Sequence, residues 1–148
     1  MPEEETLERA REDAAEGKSP STQAGEFVRE EIEHVREGKH GARSAKQAIA
    51  IGLSKARRAG VPLPPPDPAK TSTSTRKKAI SDSLKGRSPR KASTKRARAT
   101  LSALKKEGRQ AASSKALSRQ AKSSAMKRTR KERSAAGKKA AKTRARSR

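Results

Sequence analysis

The chain has 148 residues and a formal net charge of +23 at pH 7, from 39 lysines and arginines against 16 acidic residues. Leu, Ile, Val and Phe together number only 15, and the sequence contains no cysteine, tryptophan or tyrosine. This composition excludes a disulfide framework and cysteine-based metal or redox sites, and few large aliphatic residues with a high net charge are typical of largely disordered chains.

The charge is distributed unevenly along the chain. Residues 1–37 carry a net charge of −7, whereas residues 38–148 carry +30. A basic arm of this kind predicts a polyanionic partner, and nucleic acid is the most common one inside a cell. The acidic N-terminus lacks the apolar run of a secretory signal, and no stretch approaches the ~18 apolar residues of a spanning helix, so we expect a cytoplasmic protein without a membrane partner.

The first 60 residues are predicted to form a small helical module. Helices are expected at about 3–16, 20–37 and 42–59, where apolar residues recur with helical spacing. Ser19 followed by Pro20 is typical of a helix start.

The short linker between the second and third helices predicts a helical hairpin. Its apolar face combines four residues of the second helix with two of the third: Phe27, Val28, Ile32, Val35, Ile49 and Leu53. So small a core is marginal, and the face from 20 to 60 is therefore also a candidate for homodimerisation or for a protein partner.

The remainder of the chain is predicted to lack a core. Residues 61–75 form a proline-rich and then Ser/Thr-rich linker, and residues 76–148 form a basic, nucleic-acid-binding tail that is mostly disordered. Two segments of this tail are marginal helices, one around Leu101 and one containing the quasi-repeat RQAASSKAL and RQAKSSAM. The expected fold class is all-α: a small helical hairpin module followed by a long, largely disordered basic tail.

The candidate nucleic-acid contacts are the cations of this tail and one Ser-Pro turn. Ser-Pro followed by two cations favours a compact turn that suits the narrow minor groove of A·T-rich DNA. The predicted contact residues are Arg76, Lys77, Lys78, Ser88, Pro89, Arg90, Lys91, Lys95, Arg96, Arg98, Arg109, Arg119, Lys127, Arg128 and Arg130.

No catalytic, cofactor-binding or metal site is predicted. His34 and His40 lie near several glutamates, but we interpret them as a solvated histidine and a helix-end cap. No residues have the spacing of a catalytic triad or of a glycine-rich phosphate loop, so the chain is expected not to be an enzyme.

The block KHGARSAKQAIAIGLSKARRAG, preceded by GEFVREEIEHVREG, resembles the signature of a family of small basic bacterial proteins with a domain of unknown function. The stretch SALKKEGRQAASSKALSRQA resembles a second stretch common in that family, and SPRK and AGKKAAKTR resemble linker-histone tails in composition. The resemblance implies a bacterial cytosolic protein associated with nucleic acid, and it brings no catalytic or binding residues with it.

The sequence thus favours a non-enzymatic, nucleoid-associated DNA-binding protein that contacts the phosphate backbone with little sequence specificity. The alternatives are an interaction adaptor that docks through residues 20–60 and a protein associated with RNA or the ribosome. The acidic residues 1–37 could also compete with phosphate for the cations of the tail.

Overall fold

A computed structural model describes residues 1–88 and 90–146, and in these ranges all regular secondary structure is helical. The α-helices are α1 (Glu4–Ala15), α2 (Pro20–Glu37), α3 (Ala45–Arg58), α4 (Thr73–Arg87), α5 (Thr94–Lys105), α6 (Ser114–Met126) and α7 (Arg130–Arg146), and a short 3-10 helix covers Gln110–Ala112. The predicted all-α class is confirmed. The chain divides into two compact units, Met1–Ser113 and a second one that begins at Ser114.

The hairpin of α2 and α3 is the centre of the first unit. Gly38 ends α2 in the left-handed conformation, with φ of 79°, and Ser44 caps α3 by accepting a hydrogen bond from the Gln47 N–H. The two helices approach so closely that a Cβ at Gly52 would lie 2.6 Å from the Val28 Cα. α1 packs on α2, and α4 packs on α3.

Alanine supplies most of the core of the first unit. One cluster joins Phe27 to Ala10, Ala24 and Ala56, with partly buried leucines and a valine around it. A second cluster joins Val35 to Ala42, Ala48, Ala111 and Ala112. Methyl groups of this size let helix backbones approach closely, so the first unit packs without many large aliphatic side chains.

The segment after residue 60 belongs to this packing. Val61 and Leu63 pack against the cluster around Phe27, and α4 begins at Thr73, within the stretch predicted as a linker. Asp82 of α4 accepts hydrogen bonds from the Ser54 hydroxyl at 2.7 Å and from the Arg58 guanidinium at 2.8 Å.

The end of α5 is fixed to the hairpin through backbone contacts. The Gly41 N–H donates to the Leu104 carbonyl at 2.9 Å, and the Ala42 N–H donates to the Gly108 carbonyl at 3.1 Å. A Cβ at Gly41 would lie 2.0 Å from the Glu107 carbonyl oxygen, so glycine is required for this approach.

The prediction of a long, largely disordered tail is wrong. Four helices follow the proline-rich segment, and the part up to residue 113 is packed into the first unit. The prediction rested on the small number of large aliphatic residues. The segment up to residue 113 instead packs through alanine, through glycine at close backbone approaches and through the buried Asp82. Lysine, arginine and alanine also have high helix propensity, which favours helices where no core exists.

In the second unit, α7 starts at a capping box. The Thr129 N–H donates to the Glu132 carboxylate at 2.8 Å, and the Glu132 N–H donates to the Thr129 hydroxyl at 3.2 Å. This reciprocal pair satisfies two backbone N–H donors at the helix start and is worth roughly 1 kcal/mol.

Candidate nucleic-acid interface

The cations after α4 are exposed without exception among the described residues. All 21 lysines and arginines between Arg90 and Arg146 are exposed, and the same stretch contains only two acidic residues, Glu107 and Glu132. The predicted contacts in this stretch, which are Arg90, Lys91, Lys95, Arg96, Arg98, Arg109, Arg119, Lys127, Arg128 and Arg130, all belong to this exposed set.

α5 carries three of its four cations on one side. At about 100° per residue, Lys95, Arg98 and Lys105 lie within an arc of about 80°, on the side away from Leu104. No residue of α5 is buried. The helix is therefore fastened at its C-terminal end and presents a cationic face to solvent.

The second unit carries cations in two arrangements. On α6, Lys115, Arg119 and Lys122 recur at i, i+4 and i+7, so they share one helical face. On α7, there are eight cations, one acid and no large apolar residue, and the cations are spread over most of the helix circumference. The predicted contacts do not include Lys115 and Lys122, although their helical spacing with Arg119 is readable in the sequence.

Two of the predicted contacts are engaged within the chain. Arg76 is partly buried and donates to the Pro66 carbonyl at 2.7 Å, and Arg109 donates to the Arg36 carbonyl at 3.5 Å. Lys77 and Lys78 are exposed. Arg76 therefore has less hydrogen-bonding capacity left for a ligand than its neighbours.

The residues of the predicted Ser-Pro turn come directly after α4 in the sequence. Ser88, Arg90 and Lys91 are exposed in the connection between α4 and α5, while Pro89 lies outside the described residues. The cations of this connection thus continue the exposed set toward α5.

Four of the six residues of the predicted apolar face are divided between the two core clusters. Phe27 and Leu53 belong to one cluster, and Val35 and Ile32 belong to the other. Phe27 and Val35 are fully buried, and Val28, Ile32, Ile49 and Leu53 are partly buried.

A buried charge network, which sequence analysis missed, lies between α2 and α3. Lys55 contacts the carboxylates of Glu30 at 3.1 Å and of Glu31 at 2.6 Å, and both glutamates are buried. Burial opposes the charged form of Glu30, but hydrogen bonds from the Glu3 N–H, Lys55 and Thr6 outweigh it and lower the pKa of Glu30.

The ammonium group in this network is stabilised by its partners. Burial alone would lower the pKa of Lys55, but the contacts with Glu31 and Glu30 outweigh burial and raise that pKa. From the sequence, both glutamates would be expected on the exposed face of a helix. Their burial is not predictable locally, because Lys55, which contacts Glu30, is 25 residues away in the sequence.

A groove of about 450 Å³ lies between the end of α3, the proline-rich segment and α4. Its walls include Ile80 and Leu84, which are exposed, and Arg57, whose Nε is buried with no hydrogen-bond partner among the described residues. Burial lowers the pKa of Arg57.

Glu31, His34 and His40 come together at the end of α2, with their ligand atoms all within 4.8 Å of one another. The sequence places the two histidines near several glutamates but predicts no metal site. None of the helices in the described ranges combines the length and the apolarity that crossing a membrane requires.

Residues 16–66 match a family of unknown function, DUF6496. The match covers about a third of the chain: α2, α3 and the proline-rich segment that follows them. It thus supports the predicted resemblance in the central block, and it carries no link to basic proteins or to linker histones. Searches of curated proteins and of solved structures return no match.

Proposed function

We propose that this chain is a non-enzymatic, nucleoid-associated DNA-binding protein, which binds the phosphate backbone with little sequence specificity through the cations of α5, α6, α7 and their connections. The observation that carries the proposal is the exposure of all 21 lysines and arginines between Arg90 and Arg146. Cations that are exposed and outnumber acids ten to one in a segment gain most from releasing the counterions of a polyanion.

The arrangement of these cations suits a duplex. Lys95 and Lys105 are about 15 Å apart along α5 at 1.5 Å per residue, a length over which duplex DNA presents several phosphates. The two faces on α5 and α6 are formed by regular helices, so binding does not have to supply the full cost of ordering these segments.

The aromatic content argues against recognition of unstacked bases. Phe27 is the only aromatic residue other than histidine, and it is 1% exposed inside the first unit. Proteins that read splayed single strands use exposed aromatic side chains as stacking platforms. This favours duplex DNA over single-stranded nucleic acid.

An adaptor role for residues 20–60 has less support. Phe27 and Val35, the largest fully buried apolar side chains of that region, are not available to a partner. Association with structured RNA or the ribosome rests on the same cations, and competition between duplex DNA and a structured RNA distinguishes the two ligands.

The test is binding of the full-length chain to two unrelated duplexes, measured by fluorescence anisotropy over a range of salt concentrations. We expect similar affinity for both duplexes and a steep loss of affinity between about 50 and 200 mM salt, with log K falling by ~0.9 per phosphate contact for each unit of log salt. Affinity that is independent of salt, or that is confined to one of the duplexes, would contradict the proposal.

A matched pair of variants locates the contacts. Replacing Lys115, Arg119 and Lys122 by glutamine should reduce the salt slope by up to about 3 and weaken binding to both duplexes equally. The control exchanges lysine and arginine at the same positions (Lys115→Arg, Arg119→Lys, Lys122→Arg), which keeps the charge and should keep the slope.

A further inference from the structure

The end of α2 gathers three side chains of the kinds that bind transition metals. Glu31 and His34 are three residues apart on α2, and the left-handed turn at Gly38 brings His40 back against them. The rings of His34 and His40 have centroids 6.0 Å apart in an edge-to-face arrangement. One helix and the turn that follows it thus bring two imidazoles and one carboxylate close together.

The hydrogen bonds of His40 leave one ring nitrogen facing a carboxylate. Its Nδ1 lies 3.0 Å from the Gly41 carbonyl oxygen, and its Nε2 lies 2.8 Å from Oε1 of Glu31. A carbonyl only accepts hydrogen bonds, so Nδ1 carries a proton. The distance of 2.8 Å between Nε2 and Oε1 places both atoms within reach of one positive centre, either a proton or a metal ion.

The surroundings hold these two groups as metal ligands are usually held. Metal-ligating histidines typically donate their second ring nitrogen to a carbonyl or carboxylate, as His40 does to Gly41. Gly41 is itself fixed by its N–H bond to Leu104. The Lys55 ammonium lies 2.6 Å from Oε2 of Glu31, which leaves Oε1 directed toward the histidine.

The third ligand gives the cluster an open side. The His34 side chain is 12% exposed, whereas His40 and Glu31 are 8% and 1% exposed. Its Nε2 lies 2.8 Å from Oε1 of Glu3, a carboxylate that is half exposed. A metal ion can therefore enter from the side of Glu3, with Glu3 or water in the fourth position.

We propose that Glu31, His34 and His40 bind one Zn²⁺ ion. Two imidazole nitrogens and one carboxylate oxygen are a ligand set that zinc takes in proteins, with a tetrahedral geometry that places ligand atoms about 3.4 Å apart. In the structure, one pair of ligand atoms is 2.8 Å apart and all three lie within 4.8 Å of one another. Small side-chain rotations would bring them to the tetrahedral spacing.

The ion would act as a structural clamp. It would tie the loop that follows Gly38 to α2, and this loop carries the Gly41 and Ala42 N–H groups that hold the end of α5. Zinc binding should therefore stabilise the first unit, and it does so independently of any nucleic acid.

The test uses the full-length chain without a histidine tag, treated with a chelator and then titrated with Zn²⁺ by calorimetry and with Co²⁺ by visible absorption. We expect one ion per chain and the strong absorption bands of tetrahedral Co²⁺. At Zn²⁺ about 100-fold above the dissociation constant, the melting temperature should rise by roughly 5 °C or more. A chain that binds neither ion saturably would overturn the proposal.

Variants assign the ligands, because the sequence contains only two histidines. His34→Gln and His40→Gln should each weaken Zn²⁺ binding at least tenfold and abolish the Co²⁺ bands, whereas Glu33→Gln, next to the site on α2, should bind as the unaltered chain does. If circular dichroism shows that His40→Gln is unfolded, the zinc affinity of His34→Gln tests the assignment, because His34 lies at the more exposed end of the site. Unchanged binding in the folded histidine variants would refute the assignment.

Discussion

Gly52 lies where α3 crosses α2, and the backbone of α2 occupies the space that any side chain there would need. A Cβ at this position would be 2.6 Å from the Val28 Cα and 3.0 Å from the Phe27 carbonyl oxygen. These neighbours are backbone atoms of a helix, so they cannot yield as the end of a flexible side chain would. Gly52→Ala should therefore lower the free energy of unfolding by about 2 kcal/mol, measured by urea denaturation.

Gly25 provides the matched control for this substitution. It also lies within a helix, but a Cβ there would meet nothing within 4 Å. Gly25→Ala should raise the free energy of unfolding by about 0.5–1 kcal/mol, because alanine is the better helix former. Equal free energies of unfolding for the two variants would contradict the close approach of α2 and α3 at Gly52.

At the candidate sites, some properties of single residues are predictable from the sequence and others are not. Exposure of the cations follows from composition alone, because lysine and arginine are rarely buried without partners. Burial of Glu31 does not, since its partner Lys55 comes from another helix and its contact with His40 depends on the turn at Gly38. Pairs that form only through tertiary packing leave no local pattern in the sequence.

Among the elements, α4 is the helix whose docking depends most on one polar residue. Its buried residues are only Ala79 and Asp82, and Asp82 bonds to both Ser54 and Arg58 of α3. Hydrogen bonds to a charged group are worth about 1.5–3 kcal/mol. Asp82→Ala should therefore speed amide exchange of residues 73–87 at least tenfold while exchange in α2 stays the same.

Asp67→Ala is the control for that experiment. Asp67 is exposed and accepts a hydrogen bond only two residues away, from the Ala69 N–H. Its removal takes away the same charge without touching the contact of α4 with α3. Equal exchange of residues 73–87 in the two variants would contradict the anchoring role of Asp82.

The elements differ in how well the sequence predicts them. The hairpin helices have apolar residues at regular helical spacing, so the helical hairpin is readable from the pattern. α4 and the 3-10 helix instead pack through Ala79, Ala111 and Ala112 and through a close approach at Gly86, where a Cβ would lie 2.3 Å from the Arg57 carbonyl oxygen. Small residues are abundant throughout this chain, so their packing positions cannot be told from solvent-facing ones.

At the scale of the molecule, the charge is divided between an acidic beginning and a basic remainder. Several acids of residues 1–37 already have cationic partners in the first unit, as Glu26 has in Arg9 and Glu3 in Lys39. The hydrogen bonds of His34 and Lys39 lower the pKa of Glu3 to about 2. These paired acids affect a distant polyanion less than unpaired charges would, because the nearby cation offsets their field.

The exposed acids on one side of α1 are different, since they lie at i, i+4 and i+8 and face solvent: Glu4, Glu8 and Glu12. If the acidic segment competes with phosphate, replacing all three by glutamine should tighten duplex binding about two- to fivefold at about 10 mM salt. The gain should disappear at about 150 mM salt, where the Debye length falls to about 8 Å. Anisotropy titrations at both salt concentrations measure this, and the charge-keeping triple Glu→Asp variant is the control; equal low-salt affinity in the two triple variants would exclude an effect of the acidic segment on binding.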